Sequence, residues 1–159
     1  MKCKFCVYFI LIPILFGLIL NFYIHSLELG PELMRSIEDA ILSHGYGVEV
    51  HTTETRDGYF LTMFRIVNKK NSNLDYNPHP VLMIPGLTTS AQAFVVNSDT
   101  KAPAFQLADE GYDVWLGNQR GNRYSRRHKT HNVDSEEFWD FTVAEISEID
   151  LPAMIHYVK

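Results

Sequence analysis

Cysteine is nearly absent from this chain of 159 residues: Cys3 and Cys6 are the only two, both within the first six positions. The residues beyond them have no disulfide framework and no cysteine-based metal site. The histidines show neither His-x-x-x-His nor His-Glu-x-x-His spacing, which removes the common helical zinc pattern. Both phosphate-cradle patterns are missing as well: there is no Gly-x-Gly-x-x-Gly, and no Gly-Lys followed by Ser or Thr. A surplus of positive charge is lacking, since 14 Lys+Arg face 19 Asp+Glu for a net charge of −5. Counterion release on nucleic acid needs cations facing phosphates, so nucleic acid is excluded as the main partner. No asparagine heads an Asn-x-Ser/Thr sequon, which excludes N-glycosylation here. Nor does Gly-x-Ser-x-Gly occur, so these residues encode no elbow to expose a serine nucleophile.

What is present begins with a long apolar run. "MKCKFCVYFILIPILFGLILNFYIHS" carries Lys2 and Lys4 and then no charge from Phe5 to Leu20. A positive start followed by an apolar stretch is the pattern of a secretory signal peptide over residues 1–26. Continued to Ile24 the run reaches a length that spans a bilayer, so a retained signal anchor is the alternative. Either way the lysines favour a cytoplasmic N-terminus, with the residues after His25 across the membrane. Loss of residues 1–26 removes two lysines and no acidic residue, taking the net charge from −5 to −7.

The remainder, residues 27–159, alternates between two periodicities. "GPELMRSIEDAILSHG" predicts a short amphipathic helix with Pro31 and Glu32 in its first turn. Leu33, Ile37 and Ile41 share one face, and Gly45 stops it. Val48 and Val50 alternate with Glu49 and His51, and Asp57-Gly58 marks a hairpin before the run Tyr59–Val67. This predicts an antiparallel pair with one wet face. A polar loop follows, and then "VLMIPG" and "YDVWLG" read as continuous apolar strands of the doubly buried kind. Between them "APAFQLADEG" predicts a helix facing inward with Ala104, Leu107 and Ala108 and stopped by Gly111. Strand, helix, strand is a parallel crossover. "SEEFWDFTVAEISEIDLPAMIHYVK" supplies further helix, with a restart predicted at Asp150, where Pro152 suits a first turn.

Two loops carry the candidate chemistry. "DVWLGNQRGNRYSRRHK" crowds Arg120, Arg123, Arg126, Arg127 and Lys129 just beyond a buried strand. Ligands gather at such strand ends, so the loop borders a site, while its arginines read as solvated or ion-paired surface. "IPGLTTSAQAF" has the form of an oxyanion-hole loop: Gly86 permits a sharp turn, and the Leu87 N–H is free to face a developing oxyanion. Ser90, Ser98 and Ser125 are loop serines without an elbow, and the i, i+3 pair Ser125 and His128 reads as coincidence rather than a dyad.

"GYGVEVHTTETRDGYFLTMFRI", "VLMIPGL", "AFQLADEGYDVWLGNQRGNRYSRRH" and "EFWDFTVAEISEIDLPAMIHYV" together resemble the acid lipase family, over residues 31–159. The resemblance implies the N-terminal part of an α/β-hydrolase fold: an antiparallel strand pair leading into a mainly parallel sheet with flanking helices, here truncated. It implies a Ser-His-Asp hydrolase of neutral lipid esters, triacylglycerol or steryl ester, in the secretory pathway, secreted or lysosomal. Its partners are then the ester substrate and a lipid surface, with no cofactor and no metal, and the membrane is met only through an uncleaved N-terminal segment. No triad residue is present; of the site, the resemblance leaves Leu87 on the loop Pro85, Gly86. Pro85 stands where the family usually has His. The family's nucleophile elbow follows the stretch "DLPAMIHYV", which implies an inactive N-terminal fragment. The alternative is a non-catalytic secreted lipid-binding protein or pseudoenzyme.

Overall fold

The computed structural model describes residues 15–17, 35–68, 79–97 and 101–159. Residues 1–35 and 36–159 separate into two units. Of the first, little beyond a helical turn at residues 15–17 is described, so the signal or anchor reading of residues 1–26 lies outside the described residues. So do Pro31, Glu32 and Leu33, Ser98, and most of the polar loop. Among the described residues no helix is long and apolar enough to cross a membrane.

The second unit is built on a five-stranded mixed sheet. β1 (Gly47–Glu54) and β2 (Tyr59–Val67) form the predicted antiparallel pair, in register from Gly47 opposite Val67 to Glu54 opposite Phe60. β3 (Pro80–Met83) and β4 (Asp113–Leu116) are parallel, with Val81 opposite Val114. β4 also lies antiparallel to β2, which gives the order β1-β2-β4-β3. This is the α/β arrangement read from the periodicities. β5 (Arg127–His128) has no counterpart among the predicted strands; it pairs with Tyr59 and Phe60 of β2. Two residues inside a basic loop have no periodicity to reveal them.

Strand alternation sorts the side chains onto two faces. Phe64, Ile66, Val114 and Leu116 meet α1 (Ile37–Ser43) and α2 (Pro103–Asp109) through Ile37, Ile41, Ala104, Phe105 and Ala108. Tyr59, Leu61, Met63 and Trp115 meet Phe138 and Met154 on the other face. Those two residues come from α3 (Glu136–Trp139) and α5 (Leu151–Val158). β4 is doubly buried as expected, but β3 is only half-buried, because it lies at the sheet's edge among the described strands. The face of β1 read as wet is partly covered too. The His51 ring lies tilted against Trp115, with centres 4.7 Å apart, and hydrogen-bonds the Tyr157 hydroxyl at 3.0 Å, while Val50 on the opposite face is exposed.

Two helix boundaries differ from expectation. α1 begins at Ser36, whose hydroxyl accepts from the Asp39 N–H, so a side-chain cap defines the start. The last helix does not restart at Asp150. α4 (Val143–Glu145) opens with a capping box between Thr142 and Glu145, and a π-helical turn (Ile146–Asp150) then leads without interruption into α5. Pro152 offers no N–H and crowds the carbonyl four residues earlier, and the wider turn ahead of it accommodates both defects. The same turn carries the Asp150 side chain into the interior, where it is wholly buried.

Candidate functional site

The loop between β4 and β5 is held by consecutive polar side chains that point inward. β4 and β5 pair with the same edge of β2 and leave Thr62 between them. Side chains complete the ladder at that position. The Asn118 amide donates to the Thr62 carbonyl at 3.1 Å, and the Ser125 hydroxyl accepts from the Thr62 N–H at 3.0 Å. Ser125 donates in turn to the Asn118 carbonyl at 2.9 Å. His128 is engaged elsewhere: Nε2 lies 2.8 Å from the Asp57 carbonyl, and Nδ1 accepts the N–H groups of Thr130 and His131. The two side chains make no dyad, because each is committed to backbone.

Arg120 corrects the surface reading of the arginines, being only 3% exposed. Its guanidinium bonds Asp150 at 2.6 and 2.8 Å and Asp57 at 2.7 and 3.1 Å, and it lies 4.0 Å from the centre of the Tyr59 ring. The Arg120 N–H also donates to Asp150 at 2.9 Å. Burial acts to lower the guanidinium pKa, and the two carboxylates outweigh it and raise it. Burial pushes the Asp150 carboxyl up against the pull of its Arg120 hydrogen bonds. Burial also acts to raise Asp57, but the Arg120 and Thr55 hydrogen bonds prevail and hold it below the usual carboxylate range.

The two shifts have opposite consequences on acidification. The stabilising part of Asp57 is fully present above its unfolded pKa of about 3.9 and is lost as pH falls through its lower folded value. Protonation of Asp150, whose folded value is raised, instead favours the folded state as pH falls. Urea midpoints of wild type and Asp57→Asn should differ most above about pH 4 and converge below it. A gap that stays constant down to strong acid would contradict the assignment.

Asn118 and Gln119 also hold the loop that follows β3. Asn118 accepts from the Ala91 N–H at 3.0 Å, at the start of a short 3-10 helix (Ala91–Phe94). The Gln119 amide donates to the Gly86 carbonyl at 3.4 Å. That carbonyl also accepts from the Thr89 N–H at 3.1 Å and the Thr89 hydroxyl at 3.2 Å, which closes a turn over residues 86–89. Leu87 takes the second position of this turn, where the N–H plays no part in the turn's own bond. Among the described residues no acceptor meets it. Gly86 does not use the freedom expected of it: its φ is not positive, and an added Cβ would meet only the Thr89 hydroxyl at 3.8 Å. The bonds on its carbonyl shape the turn.

Leu87 borders two cavities of about 420 and 360 Å³. The first is walled by Ser90, Asn122, Arg123 and Arg126 among others. The second is mainly apolar at its rim, where Leu87, Trp139 and Val143 are 63, 44 and 60% exposed. Gln119 also lines it, and among the described residues the side-chain oxygen of this buried residue has no hydrogen-bond partner. The basic loop thus borders the Leu87 cavities, as expected of a loop at a strand's carboxyl end. Among the described residues no cluster of His, Cys, Asp or Glu could hold a metal ion.

Residues 37–98 match the family described as a partial alpha/beta-hydrolase lipase region. "Lipase 1" of Drosophila melanogaster is 47% identical over 123 residues, which is 77% of this chain and 26% of that protein. "Lysosomal acid lipase/cholesteryl ester hydrolase" of Homo sapiens is 39% identical over 129 residues, 80% of this chain and 32% of that protein. "Gastric triacylglycerol lipase" of Rattus norvegicus is 40% identical over 130 residues, 81% of this chain and 33% of that protein. The chain belongs to the acid lipase family. It spans a third or less of the length of these acid lipases.

Of the acid lipase site residues expected from the sequence, Pro85 is buried, Gly86 is exposed, and Leu87 is exposed and borders both cavities. Ser90 precedes the 3-10 helix and makes no side-chain cap bond. Sequence reasoning missed Asn118, Gln119, Asp57 and Asp150. The available signal was three polar residues in a row, Asn118 to Arg120, directly after "VWLG", and it does not separate a buried polar turn from a solvated one.

Proposed function

We propose that this chain supplies the oxyanion-binding part of a serine carboxylic-ester hydrolase acting on neutral lipid esters, triacylglycerol or steryl ester. Residues 1–26 lead it into the secretory pathway, towards secretion or the lysosome, and residues 27–159 form the lipase region. The observation that carries this reading is the Gly86–Leu87 peptide. Its carbonyl is gripped on one side, and Leu87, which carries its N–H, lines a mainly apolar cavity a few residues beyond β3. When a nucleophile adds to an ester carbonyl, the oxygen gains charge and needs donors already in place. The Leu87 N–H is such a donor, and Pro85 does not remove it. Exposed Leu87, Trp139 and Val143 offer the acyl chain an apolar surface.

These 159 residues contain no elbow serine, so the reading expects no ester turnover from them alone. The test is a chimaera in which the chain replaces the matching segment of human lysosomal acid lipase. It should hydrolyse a long-chain ester, and Leu87→Pro, which deletes the N–H, should lower kcat roughly 10²–10³-fold. Leu87→Ala, which keeps the N–H but trims the apolar surface, should raise KM and leave kcat near its starting value. Retention of full kcat by a folded Leu87→Pro chimaera would sink the proposal. The shared groove of Leu87, Trp139 and Val143 also favours a second reading, a non-catalytic lipid-binding protein. That reading gains if the folded chimaera binds lipid vesicles but turns nothing over.

A further inference from the structure

We propose that Gln119 is a positioning residue for the oxyanion donor, acting through the peptide bond between Gly86 and Leu87. The inference rests on the reading of Leu87 as that donor. No cis peptide occurs among the described residues, so the Gly86 carbonyl and the Leu87 N–H belong to one planar trans unit and point in opposite directions. Whatever holds the carbonyl therefore aims the N–H. Two of its three donors, the N–H and hydroxyl of Thr89, belong to the same exposed turn and move with it. Gln119 is the donor from outside. It is fixed in the interior, 3% exposed, on the segment that continues β4.

Gln119 has little other role. Among the described residues its side chain makes a single hydrogen bond, to the Gly86 carbonyl, and its oxygen is buried without a partner. A buried amide kept for packing would be replaced at less cost by an apolar side chain, which strands no oxygen. Its neighbours anchor the frame around it: Asn118 is tied to Thr62 and Ala91, and Arg120 to Asp57 and Asp150. Gln119 is thus held between two fixed residues and reaches the turn from a rigid base.

The expected consequence is a loss of kcat without a matching change in KM when the donor is removed, since substrate contacts are untouched. Gln119→Glu keeps the shape but offers no donor when ionised. Gln119→Leu keeps the approximate bulk and offers none at any pH. In the lysosomal-lipase chimaera both should lower kcat about tenfold or more at neutral pH, a fraction of the loss from deleting the donor itself. As pH falls, the carboxyl introduced by Gln119→Glu takes up a proton and regains a donor. The deficit of that variant relative to the parent should then shrink while the Gln119→Leu deficit stays, a difference that loss of packing alone does not produce.

The geometry is read separately in the isolated 159-residue chain. Both variants should shift the Leu87 amide nitrogen resonance and leave the Thr62 and Ala91 amides in place. An unmoved Leu87 amide in Gln119→Leu overturns the inference; if Leu87→Pro still lowers kcat as expected, the oxyanion reading survives it. A moved amide with unchanged kcat in both Gln119 variants overturns the inference as well. If Leu87→Pro is then also silent, the oxyanion reading has failed with it. Equal, pH-independent deficits in the two variants assign Gln119 to packing and likewise overturn the inference.

Discussion

Arg120→Leu is expected to destabilise residues 36–159 by about 3–5 kcal/mol, the cost of leaving a buried charge without its partner. Asp150 is wholly buried and receives two guanidinium bonds and one backbone bond, all from Arg120. Leucine leaves only the backbone donor. Asp57 is about a third exposed and can turn to water, so its share of the loss is small. For a unit of this size each kcal/mol moves the melting midpoint by roughly 3–6 °C, so a fall of more than about 10 °C is expected. Adding Asp150→Asn to Arg120→Leu removes the stranded charge and keeps an acceptor for the residue 120 N–H. The double variant should recover about half of the loss or more. Circular dichroism melts of the parent, both singles and the double decide the matter. A single variant within about 1 kcal/mol of the parent, or a double no better than Arg120→Leu, would overturn it. Lysine at 120 should fall between, since a single ammonium cannot bridge two carboxylates as the planar fork does.

Gly121→Ala should cost roughly 2–5 kcal/mol, because backbone and packing object together. The residue has φ +78°, a conformation that costs an L side chain on the order of 1–2 kcal/mol. Its new Cβ would lie 2.8 Å from Cζ3 of Trp139 and 2.9 Å from Cζ of Phe141. Neither stiff ring can step aside without disturbing α3 and the segment leading to α4, and such overpacking costs about 1–3 kcal/mol. Two other glycines separate the parts. Gly45 has φ +84° with nothing within 4 Å of a Cβ, so Gly45→Ala isolates the backbone cost. Gly117 has no positive φ, and its Cβ would meet Ile84 Cδ1 at 2.6 Å and Met154 Sδ at 2.8 Å, atoms of side chains that can rotate more readily than an aromatic ring. Urea titrations should rank Gly121→Ala as the most damaging of the three. An equal loss at Gly45 and Gly121 would show that the aromatic contact contributes nothing.

The large features were legible because each leaves a short-range signature. Alternation in Tyr59–Val67 and the Asp57-Gly58 turn mark a hairpin, and the apolar runs around "APAFQLADEG" mark a parallel crossover. The loop "IPGL" could be placed at the end of its strand, and Leu87 stands there, beside two cavities. The differences fall where a partner is distant. The arginines read together as surface, yet Arg120 is buried because Asp57 and Asp150 lie 63 and 30 residues away in the chain. Pro152 predicts a helix restart, yet a π turn absorbs the proline and turns Asp150 inward. Gly86 suggests backbone freedom, whereas three hydrogen bonds on its carbonyl do the shaping.

The sequence by itself determined the strands β1 to β4, the main helices, the order in which they alternate and the family resemblance. Those follow from hydrophobic periodicity and turn chemistry, which act over a few residues. Only the tertiary structure decided what "NQR" does. Packing brings Thr62, Gly86, Ala91, Asp57 and Asp150 around three consecutive side chains, so that one closes a gap in the sheet, one grips the candidate oxyanion turn and one neutralises a buried acid. A polar residue reads the same in a sequence whether it faces water or a buried carbonyl, and only the fold supplies the partner that makes its burial favourable.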